Sequence, residues 1–232
     1  MRRLETVRRD FVANVSHELR TPVAVIRANA ETLLAGAAND PVMAPKLIDG
    51  LHRNAERLAR ILADLLDLSR LDAGQYRLER TRVELKPTTE QSLTAIGPQA
   101  AARQITVELD IADGLAVRAD AKALDQILVN LIDNAVKYTH ANTTVVVAAR
   151  PDGDAVRIEV RDHGPGLTEK HRSRMFERFY RADQSRSRDA GGTGLGLSIV
   201  KHLTETMGGT VGVEPNQPQG STFFLRLPRS TS

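Results

Sequence analysis

The segment Ser16–Pro22 places a histidine on the polar side of an amphipathic helical pattern. At about 100° per residue, Val15 and Leu19 lie about 40° apart on one face, and His17 points roughly opposite to them. Thr21 follows about one helical turn later and shares the face of His17. We therefore expect an exposed imidazole that another molecule can approach. The alternative is a solvated surface histidine without a chemical role. The choice between the two depends on whether the second half of the chain carries a binding site that could act on this histidine.

A second helical pattern carries amide and amine side chains on one face. Asn130, Asn134 and Lys137 follow the spacing i, i+4, i+7 and fall within about 60° of arc. They border an apolar stripe formed by Ile127, Leu131, Ala135 and Tyr138. Amide oxygens and an amine at such a border suit phosphate oxygens and a hydrated magnesium ion. Asn is a poor helix former, so two of them favour a binding site over a generic solvated face.

A single carboxylate ends an alternating strand pattern in Ala155–Asp162. Asp162 has the parity of the apolar, buried side, and it directly precedes Gly164 and Gly166. A buried carboxylate is costly unless it accepts hydrogen bonds, and the exocyclic amine of a purine would donate one. Glycines at this point would let the backbone approach a ring. The alternative is an aspartate that only caps a turn.

The glycine-rich run Gly191–Ser198 leads into an apolar helical pattern. Backbone N–H groups and the helix dipole at such a junction favour a polyphosphate. The run lacks the Gly-Lys-Ser/Thr of a P-loop and the spacing of a dinucleotide fingerprint, so alone it is a weak signal. The loop before it, from about 167 to 192, is long, polar and rich in Arg, and contains the aromatic segment Phe176–Arg181. Its length favours a lid.

Two long helices precede these segments. The first covers about 3–35 and contains Pro22, where we expect a kink, and Ala35–Pro41 forms a turn. The second carries a coiled-coil seam with one polar member, at Leu47, Leu51, Asn54, Leu58, Ile61, Leu65 and Leu68. Leu62 and Leu66 widen this apolar stripe, so an isolated hairpin cannot bury it. We expect dimerisation into a four-helix bundle, with packing against the chain's own second domain as the alternative.

The rest of the chain alternates helix and strand. We predict strands near 81–85, 104–110, 115–118, 143–149, 155–161, 210–214 and 221–227, and helices near 87–102, 120–138 and 194–207. Short turns between neighbouring strands predict antiparallel pairs, and the whole predicts a mixed sheet with helices on one face. The predicted division is a helical domain over 1–72, a linker over 73–82 and an α/β domain over 83–232.

Composition narrows the function classes. The 232 residues have a formal net charge of only +3, which gives no support to nucleic-acid binding. Without cysteine, disulfides, thiolate chemistry and Cys-based zinc sites are excluded. No run approaches the ~20 apolar residues of a membrane span, and no signal peptide is evident. The chain opens inside a charged helical pattern, so we expect a fragment of a longer protein. The histidines other than His17 show no ligand spacing, and we assign them no role.

These segments, in this order, resemble the motifs of sensor histidine kinases, and the resemblance covers nearly the whole chain. The matching segments are the phosphoacceptor box Ser16–Pro22, the asparagine box Asn130–Tyr138, the first glycine box Asp162–Gly166, the phenylalanine box Phe176–Arg181, the second glycine box Gly192–Leu197 and the closing strand Gly220–Phe223. The run Arg8–Val15 is similar to the phosphate-responsive subgroup.

The resemblance implies an α plus α/β protein, in which a dimerising helical hairpin precedes a Bergerat-type α/β sandwich of the kind found in DNA gyrase. His17 would accept the γ-phosphoryl group of ATP, and Glu18 would be its acid/base partner. Thr21 would position water for a phosphatase reaction on the partner protein. The phosphoryl group would pass to an aspartate in the receiver domain of a response regulator.

The resemblance also implies the ATP-binding residues. Asp162 would read adenine, and Asn130 and Asn134 would hold Mg²⁺ and phosphates. The other implied nucleotide contacts are Lys137, Tyr138, Gly164, Gly166, Leu167, Tyr180, Arg181, Gly192, Thr193, Gly194, Leu195, Gly196, Leu197 and Thr222. The implied partners are a second copy, bound through residues 1–72, and the receiver domain, with no nucleic acid. Membrane contact would come only through segments outside this chain, as in the cytoplasmic, soluble part of an inner-membrane sensor.

Three alternatives remain. A Bergerat-type ATPase carries a glutamate base one helical turn before its magnesium-binding asparagine, but here that position is Asn130, which cannot take a proton. A scaffold could bind nucleotide without transfer, although His17, Glu18 and the glycine run argue against it. Within the kinase class, the phosphatase activity could dominate.

Overall fold

The chain folds into a helical hairpin followed by an α/β sheet domain. A computed structural model describes residues 2–75, 77–182 and 192–230, with side chains from residue 12 onward. The hairpin consists of α1 (Arg2–Leu34), a 3-10 turn (Ala37–Asn39) and α2 (Met43–Asp72). The predicted turn is confirmed, and α1 continues through the buried Pro22.

The two helices of the hairpin run antiparallel and approach each other closely. Near the turn, Asn29 Nδ2 donates to the Leu47 carbonyl at 3.3 Å, and further along, Arg57 Nη2 donates to Glu18 Oε2 at 2.8 Å. Gly50 is buried at this contact, where an added Cβ would lie only 2.4 Å from Asn29 Nδ2. A larger residue at position 50 would therefore displace the Asn29 amide and its hydrogen bond to Leu47.

The apolar stripe of α2 is divided between two surroundings. All seven predicted seam positions are buried or half-buried. Leu68 and Leu71 join the core of the sheet domain, so at these positions the stripe packs against the chain's own second domain, which was the alternative to dimerisation. Leu62 and Leu66 remain 47% and 59% exposed. The chain's own second domain thus covers only part of the stripe.

The sheet domain follows the predicted order of elements. Its strands are β1 (Thr81–Glu84), β2 (Thr106–Ile111), β3 (Ala116–Ala119), β4 (Thr144–Asp152), β5 (Ala155–Arg161), β6 (Thr210–Pro215) and β7 (Ser221–Pro228). Its helices are α3 (Leu85–Ala102), α4 (Ala121–Tyr138), α5 (Glu169–Arg172) and α6 (Gly196–Thr206). The short α5 is an addition within the predicted long loop. Its first turn is capped by Thr168, whose side chain accepts from the His171 N–H.

The strands form two sheets, of which the larger has the order β2-β4-β5-β7-β6. The pair β2–β4 is parallel and the other three pairs are antiparallel, which confirms the mixed sheet. The strands β1 and β3 form a separate two-stranded sheet, which the sequence did not predict. On β5, Val156, Ile158 and Val160 are fully buried while the intervening residues are half-buried, so α3, α4 and α6 cover one face.

Among the described residues, no helix combines the length and apolar character needed to cross a membrane.

Candidate functional site

The histidine segment lies on α1 with the orientation that its helical pattern predicts. His17 and Thr21 are exposed, and Val15 and Leu19 on the opposite face are half-buried. Thr21 Oγ1 donates to the His17 carbonyl at 3.3 Å, which anchors the hydroxyl in the same turn. The imidazole is therefore open to a partner molecule.

Glu18, beside the histidine, is held between the hairpin and the sheet domain. Its Oε2 accepts from Arg57 Nη2 at 2.8 Å and lies 3.9 Å from Arg181 Nη1. The side chains of Glu18, Arg57 and Arg181 are only 19%, 11% and 11% exposed. The carboxylate is thus oriented by one arginine from each part of the chain, at a point where water screens little.

Asp162 ends β5 as a buried carboxylate, as its strand parity predicts. It is 4% exposed, and its Oδ1 accepts from the backbone N–H of Gly164 at 2.8 Å and of Ser221 at 3.1 Å. Burial raises the pKa of this carboxyl, while the two backbone hydrogen bonds act in the opposite direction. Both bonds use Oδ1, so among the described residues none donates to Oδ2.

The backbone at Asp162 is contacted closely by the residue that precedes β7, and that residue has to be glycine. Gly220, directly before β7, has φ +130°, and an added Cβ would lie 2.0 Å from the Asp162 carbonyl oxygen. Asn216 Nδ2 donates to that same oxygen at 2.8 Å. The backbone around Asp162 is therefore fixed from both sides.

The polar face of α4 meets the start of α6. Asn130 Nδ2 donates to the Gln126 carbonyl at 2.9 Å, which turns Oδ1 toward Gly196, where an added Cβ would lie at 2.5 Å. Lys137 Nζ pairs with Asp133 Oδ2, and both side chains are largely buried. Asp133 was not predicted as a site residue, although its i, i+4 spacing to Lys137 was a visible signal.

The glycine run is tied to the aromatic segment and to α2. Gly194 has φ +72°, and an added Cβ would lie 2.9 Å from Phe179 Cα. Phe179 N–H donates to the Gly194 carbonyl at 2.8 Å. Thr193 Oγ1 accepts from the Leu195 N–H at 3.1 Å and donates to Asp64 Oδ2 at 2.7 Å. The loop therefore links three parts of the molecule.

The segment before the glycine run is ordered by contacts around Tyr180. Its hydroxyl bonds to His171 Nδ1 at 2.7 Å, and the Arg174 guanidinium lies 4.5 Å from its ring centroid. His171, to which the sequence pattern assigned no role, is therefore a hydrogen-bond partner of Tyr180. Of the predicted lid, residues 183–191, which include Gly191, lie outside the described residues.

A single cavity brings most of the predicted nucleotide residues together. The predicted residues that line it are Asn130, Asn134, Lys137, Tyr138, Asp162, Gly166, Leu167, Tyr180, Arg181, Gly192, Thr193, Gly194, Gly196 and Leu197. Sequence reasoning missed Asp133, Pro165, Met175, Ala182, Ser221 and Phe223, which also line it. The apolar residues among those that were missed carry no polar or charged group, so no spacing of polar residues in the sequence could have identified them as part of a binding site.

Three predicted nucleotide residues are not among those that line the cavity. Leu195 is fully buried in the core, and Thr222 is a buried member of β7 paired with Arg161. Gly164 donates its N–H to Asp162 and supports the carboxylate from behind. The residues of the histidine segment lie outside the cavity, and Arg181 connects them to its lining through Glu18.

Metal-binding clusters are absent from the described ranges: they contain no group of three or more His, Cys, Asp or Glu side chains that could hold an ion.

Two family models match the chain in succession. The His Kinase A (phospho-acceptor) domain matches residues 7–74, and the histidine kinase-, DNA gyrase B- and HSP90-like ATPase domain matches residues 119–231.

Individual relatives extend these matches over nearly the full length of the chain. The chain is 37% identical over 226 residues to the sensor-like histidine kinase SenX3 of Mycolicibacterium smegmatis, covering 97% of this chain and 59% of that protein. It is similar to full-length ShkA solved with AMPPNP, at 31% identity and TM-score 0.70, covering 96% of this chain and 46% of ShkA. Its fold also matches ThkA solved with the response regulator TrrA, at 24% identity and TM-score 0.79, covering 99% and 64%.

Proposed function

This chain belongs to the sensor histidine kinases, and we propose that it transfers the γ-phosphoryl group of ATP to His17 and then to an aspartate of a response regulator. The observation that carries the proposal is the bridge between Glu18 and Arg181. It places the neighbour of an exposed imidazole 3.9 Å from a residue that lines the nucleotide cavity. The chain spans 59% of SenX3, so the activity of the whole protein is part of the same proposal.

In this proposal adenine occupies the end of the cavity that contains Asp162. The exocyclic amine of the purine donates to Oδ2, since Oδ1 already accepts two backbone N–H groups. Leu167, Met175 and Phe223 supply apolar lining for the ring. A buried carboxylate with one oxygen held by the protein is thereby completed by the ligand.

The phosphates lie between the polar face of α4 and the start of α6. Asn130, Asn134 and Lys137 line this side of the cavity, and Thr193 and Gly194 precede the helix whose N–H groups favour phosphate. The Asn130 amide oxygen is directed toward Gly196, so it fits a hard cation shared with phosphate oxygens. A bound Mg²⁺ would neutralise charge on the phosphates.

At the acceptor end, the chain supplies orientation and a proton acceptor. The attacking ring nitrogen of His17 needs its partner nitrogen to lose a proton, and we assign that proton to the carboxylate of Glu18, the next residue in the sequence. Arg57 fixes that carboxylate, and Arg181 faces it from the cavity lining. Thr21 shares the exposed face, where it would position water when the phosphorylated regulator returns. Positioning of this kind carries most of the rate in phosphoryl transfer.

The proposed partners use the hairpin. Residues 1–72 would pair with a second copy through the part of the α2 stripe that the sheet domain leaves exposed, Leu62 and Leu66. A receiver domain would approach the exposed face of His17. The proposed ATP-binding domain covers 83–232 and follows a linker over 73–82, although Leu68 and Leu71 of α2 also contribute to its core.

Incubation with γ-labelled ATP tests the proposal. The wild-type chain is expected to acquire an acid-labile, base-stable label, and His17→Gln to lose it. His52→Gln is the matched control, because His52 is another exposed histidine of the hairpin. A label that persists in His17→Gln would contradict the assignment. Nucleotide binding without label would support a scaffold, and phosphate release without label would support an ATPase.

A further inference from the structure

The last turns of α2 present three aspartates to the sheet domain of the same chain. Each one accepts a hydrogen bond from a different part of that domain. The pairs are Thr193 Oγ1 with Asp64 Oδ2 at 2.7 Å, Gln126 Nε2 with Asp67 Oδ2 at 2.7 Å, and Arg178 Nη1 and Nη2 with Asp72 at 2.9 and 2.6 Å. The contacts therefore reach the glycine run, α4 and the aromatic segment.

Two of these contacts hold the two segments that border the cavity. Thr193 lines the cavity itself, and Arg178 lies between the lining residues Met175 and Tyr180 in sequence. The Arg178–Asp72 pair is bidentate, which fixes direction as well as distance. These two contacts from α2 thus constrain the position of the cavity relative to the hairpin.

Asp64 lies at a largely buried position, where the hydrogen bond from Thr193 stabilises its charged form. Burial raises the pKa of Asp64, while the hydrogen bond from Thr193 opposes that effect. The charge of Asp67 acts in the same direction as burial, and Arg60 and Lys137 act against it. Thr193 also accepts from the Leu195 N–H, so its hydroxyl connects α2 to the start of α6.

The apolar contacts and the Glu18 bridge agree with this placement. Leu68 and Leu71, on the same turns of α2, are buried in the core of the sheet domain. On the other side, Arg181 of the cavity lining lies 3.9 Å from Glu18 of α1.

We propose that Asp64 and Asp72 act as an acidic clamp, two positioning residues that hold the ATP-binding domain against the His17 of its own chain. The inference rests on the proposed function. In the transfer, a bond forms between a His17 ring nitrogen and the γ-phosphorus, and the bond from the γ-phosphorus to the β,γ-bridging oxygen breaks. ADP leaves with that electron pair, and the proton of the imidazole passes to Glu18. The reaction is completed without the partner copy's nucleotide.

A charge exchange tests the Asp72 half of the clamp in the full chain. Asp72→Arg and Arg178→Asp should each lower the rate of autophosphorylation at saturating ATP by about fivefold or more, because each places like charges together. The double variant Asp72→Arg/Arg178→Asp should recover most of the wild-type rate. Affinity for a fluorescent ATP analogue should stay unchanged, because Arg178 is not among the residues lining the cavity.

Asp49→Arg is the matched control, since Asp49 is an exposed aspartate of α2 whose ion pair is with Arg53 of the same helix. It should leave the rate unchanged. For the other half, Asp64→Ala should slow autophosphorylation more than Asp64→Asn, which keeps an acceptor for Thr193. A double exchange as slow as the single variants, or equal rates for the two Asp64 variants, would overturn the clamp.

Mixed chains test transfer within one chain. His17→Gln, which can bind ATP, is combined with Asn134→Ala, which retains His17, after co-refolding to exchange chains. Transfer within one chain predicts label near background, and label on the Asn134→Ala chain at a rate near wild type would overturn the inference. An unlabelled wild-type chain would instead reject the proposed function, so the two failures are distinguishable.

Discussion

At the scale of single residues, the carboxyl group of Asp162 experiences two opposing effects. Its hydrogen bonds to the backbone favour the charged form, and its burial disfavours that form. Its Oδ1 links the turn after β5 to the first residue of β7, because it accepts from the backbone N–H groups of Gly164 and Ser221. Its burial disfavours the charged form, which raises the pKa. Strand parity predicted the burial, but the donor Ser221 lies 59 residues further along the chain and no local pattern pointed to it.

Asp162→Asn should therefore separate binding from stability. The Asn oxygen can accept both backbone N–H groups, but its NH₂ would face the purine amine, so ATP affinity should fall by about tenfold or more. The melting temperature should stay equal or rise, because a buried charge is removed. Calorimetric titration with an ATP analogue and thermal unfolding measure the two effects, and His163→Asn is a neighbouring control.

The pH dependence of that stability effect has a defined sign. Because folding raises the pKa of Asp162, the folded chain holds this proton at pH values where the unfolded chain has released it. Its contribution to stability therefore falls as pH rises through the interval above the reference pKa of 3.8. The gain in melting temperature from Asp162→Asn should be larger at pH 7 than near pH 4. An equal gain at both values would contradict this.

Gly194 gives a second prediction at this scale. Its φ of +72° and the 2.9 Å separation between an added Cβ and Phe179 Cα leave no room for alanine. Gly194→Ala should displace the contact between the glycine run and the aromatic segment and weaken ATP binding several-fold. Gly97→Ala is the control, because an added Cβ there meets nothing within 4 Å. Unchanged affinity in Gly194→Ala would show that this contact does not shape the cavity.

At the scale of elements, the periodicity of α2 correctly predicted which side of the helix is buried, but it did not predict which elements that side packs against. The seam positions are all buried or half-buried, but the pattern could not show that Leu65, Leu68 and Leu71 pack against the core of the sheet domain. Likewise, strand patterns located β1 and β3, whereas their pairing into a separate sheet depends on tertiary packing that no local signal encodes. Boundaries of α4 and α6 followed from amphipathic spacing alone.

Asn54 tests the cost of a polar residue on that seam. Its Nδ2 donates at 2.8 Å to the Gly50 carbonyl of its own helix, so among the described residues no partner on α1 depends on it. Asn54→Leu should raise the melting temperature by a few degrees, about 2–4 °C per kcal/mol for a chain of this size. Differential scanning calorimetry measures the change, and Ala55→Leu, at an exposed position, is the control. A lower melting temperature would show that the amide has a partner in the dimer.

At the scale of the whole molecule, the apolar stripe of α2 has one part that the sheet domain covers and another that remains exposed. The sheet domain covers the end of α2, and Leu62 and Leu66 remain open for a second copy. The sequence predicted dimerisation and internal packing as alternatives, but both are compatible once the stripe is divided along its length. Which part of the stripe packs internally depends on where the sheet domain contacts α2, and neither composition nor residue spacing specifies that contact.

Leu66→Glu should therefore weaken the proposed dimer without unfolding the chain. A charge at this position would have to be buried in the bundle, which should raise the dimer dissociation constant by about tenfold or more. Sedimentation equilibrium measures it. Leu34→Glu is the control, because Leu34 is exposed at the end of α1, next to the turn. An unchanged dissociation constant would place the dimer contact elsewhere.

The burial of Leu68 and Leu71 also bears on how chimeric proteins should be joined. A junction placed in the coil after Asp72 would pair the sheet domain with foreign side chains at two positions that its core requires. A junction one or two turns upstream of Leu68 would keep Leu68 and Leu71 together with the native core residues that surround them. Chimeric proteins built from this chain and a relative should fold best when the junction keeps Leu68 and Leu71 together with the sheet domain that buries them.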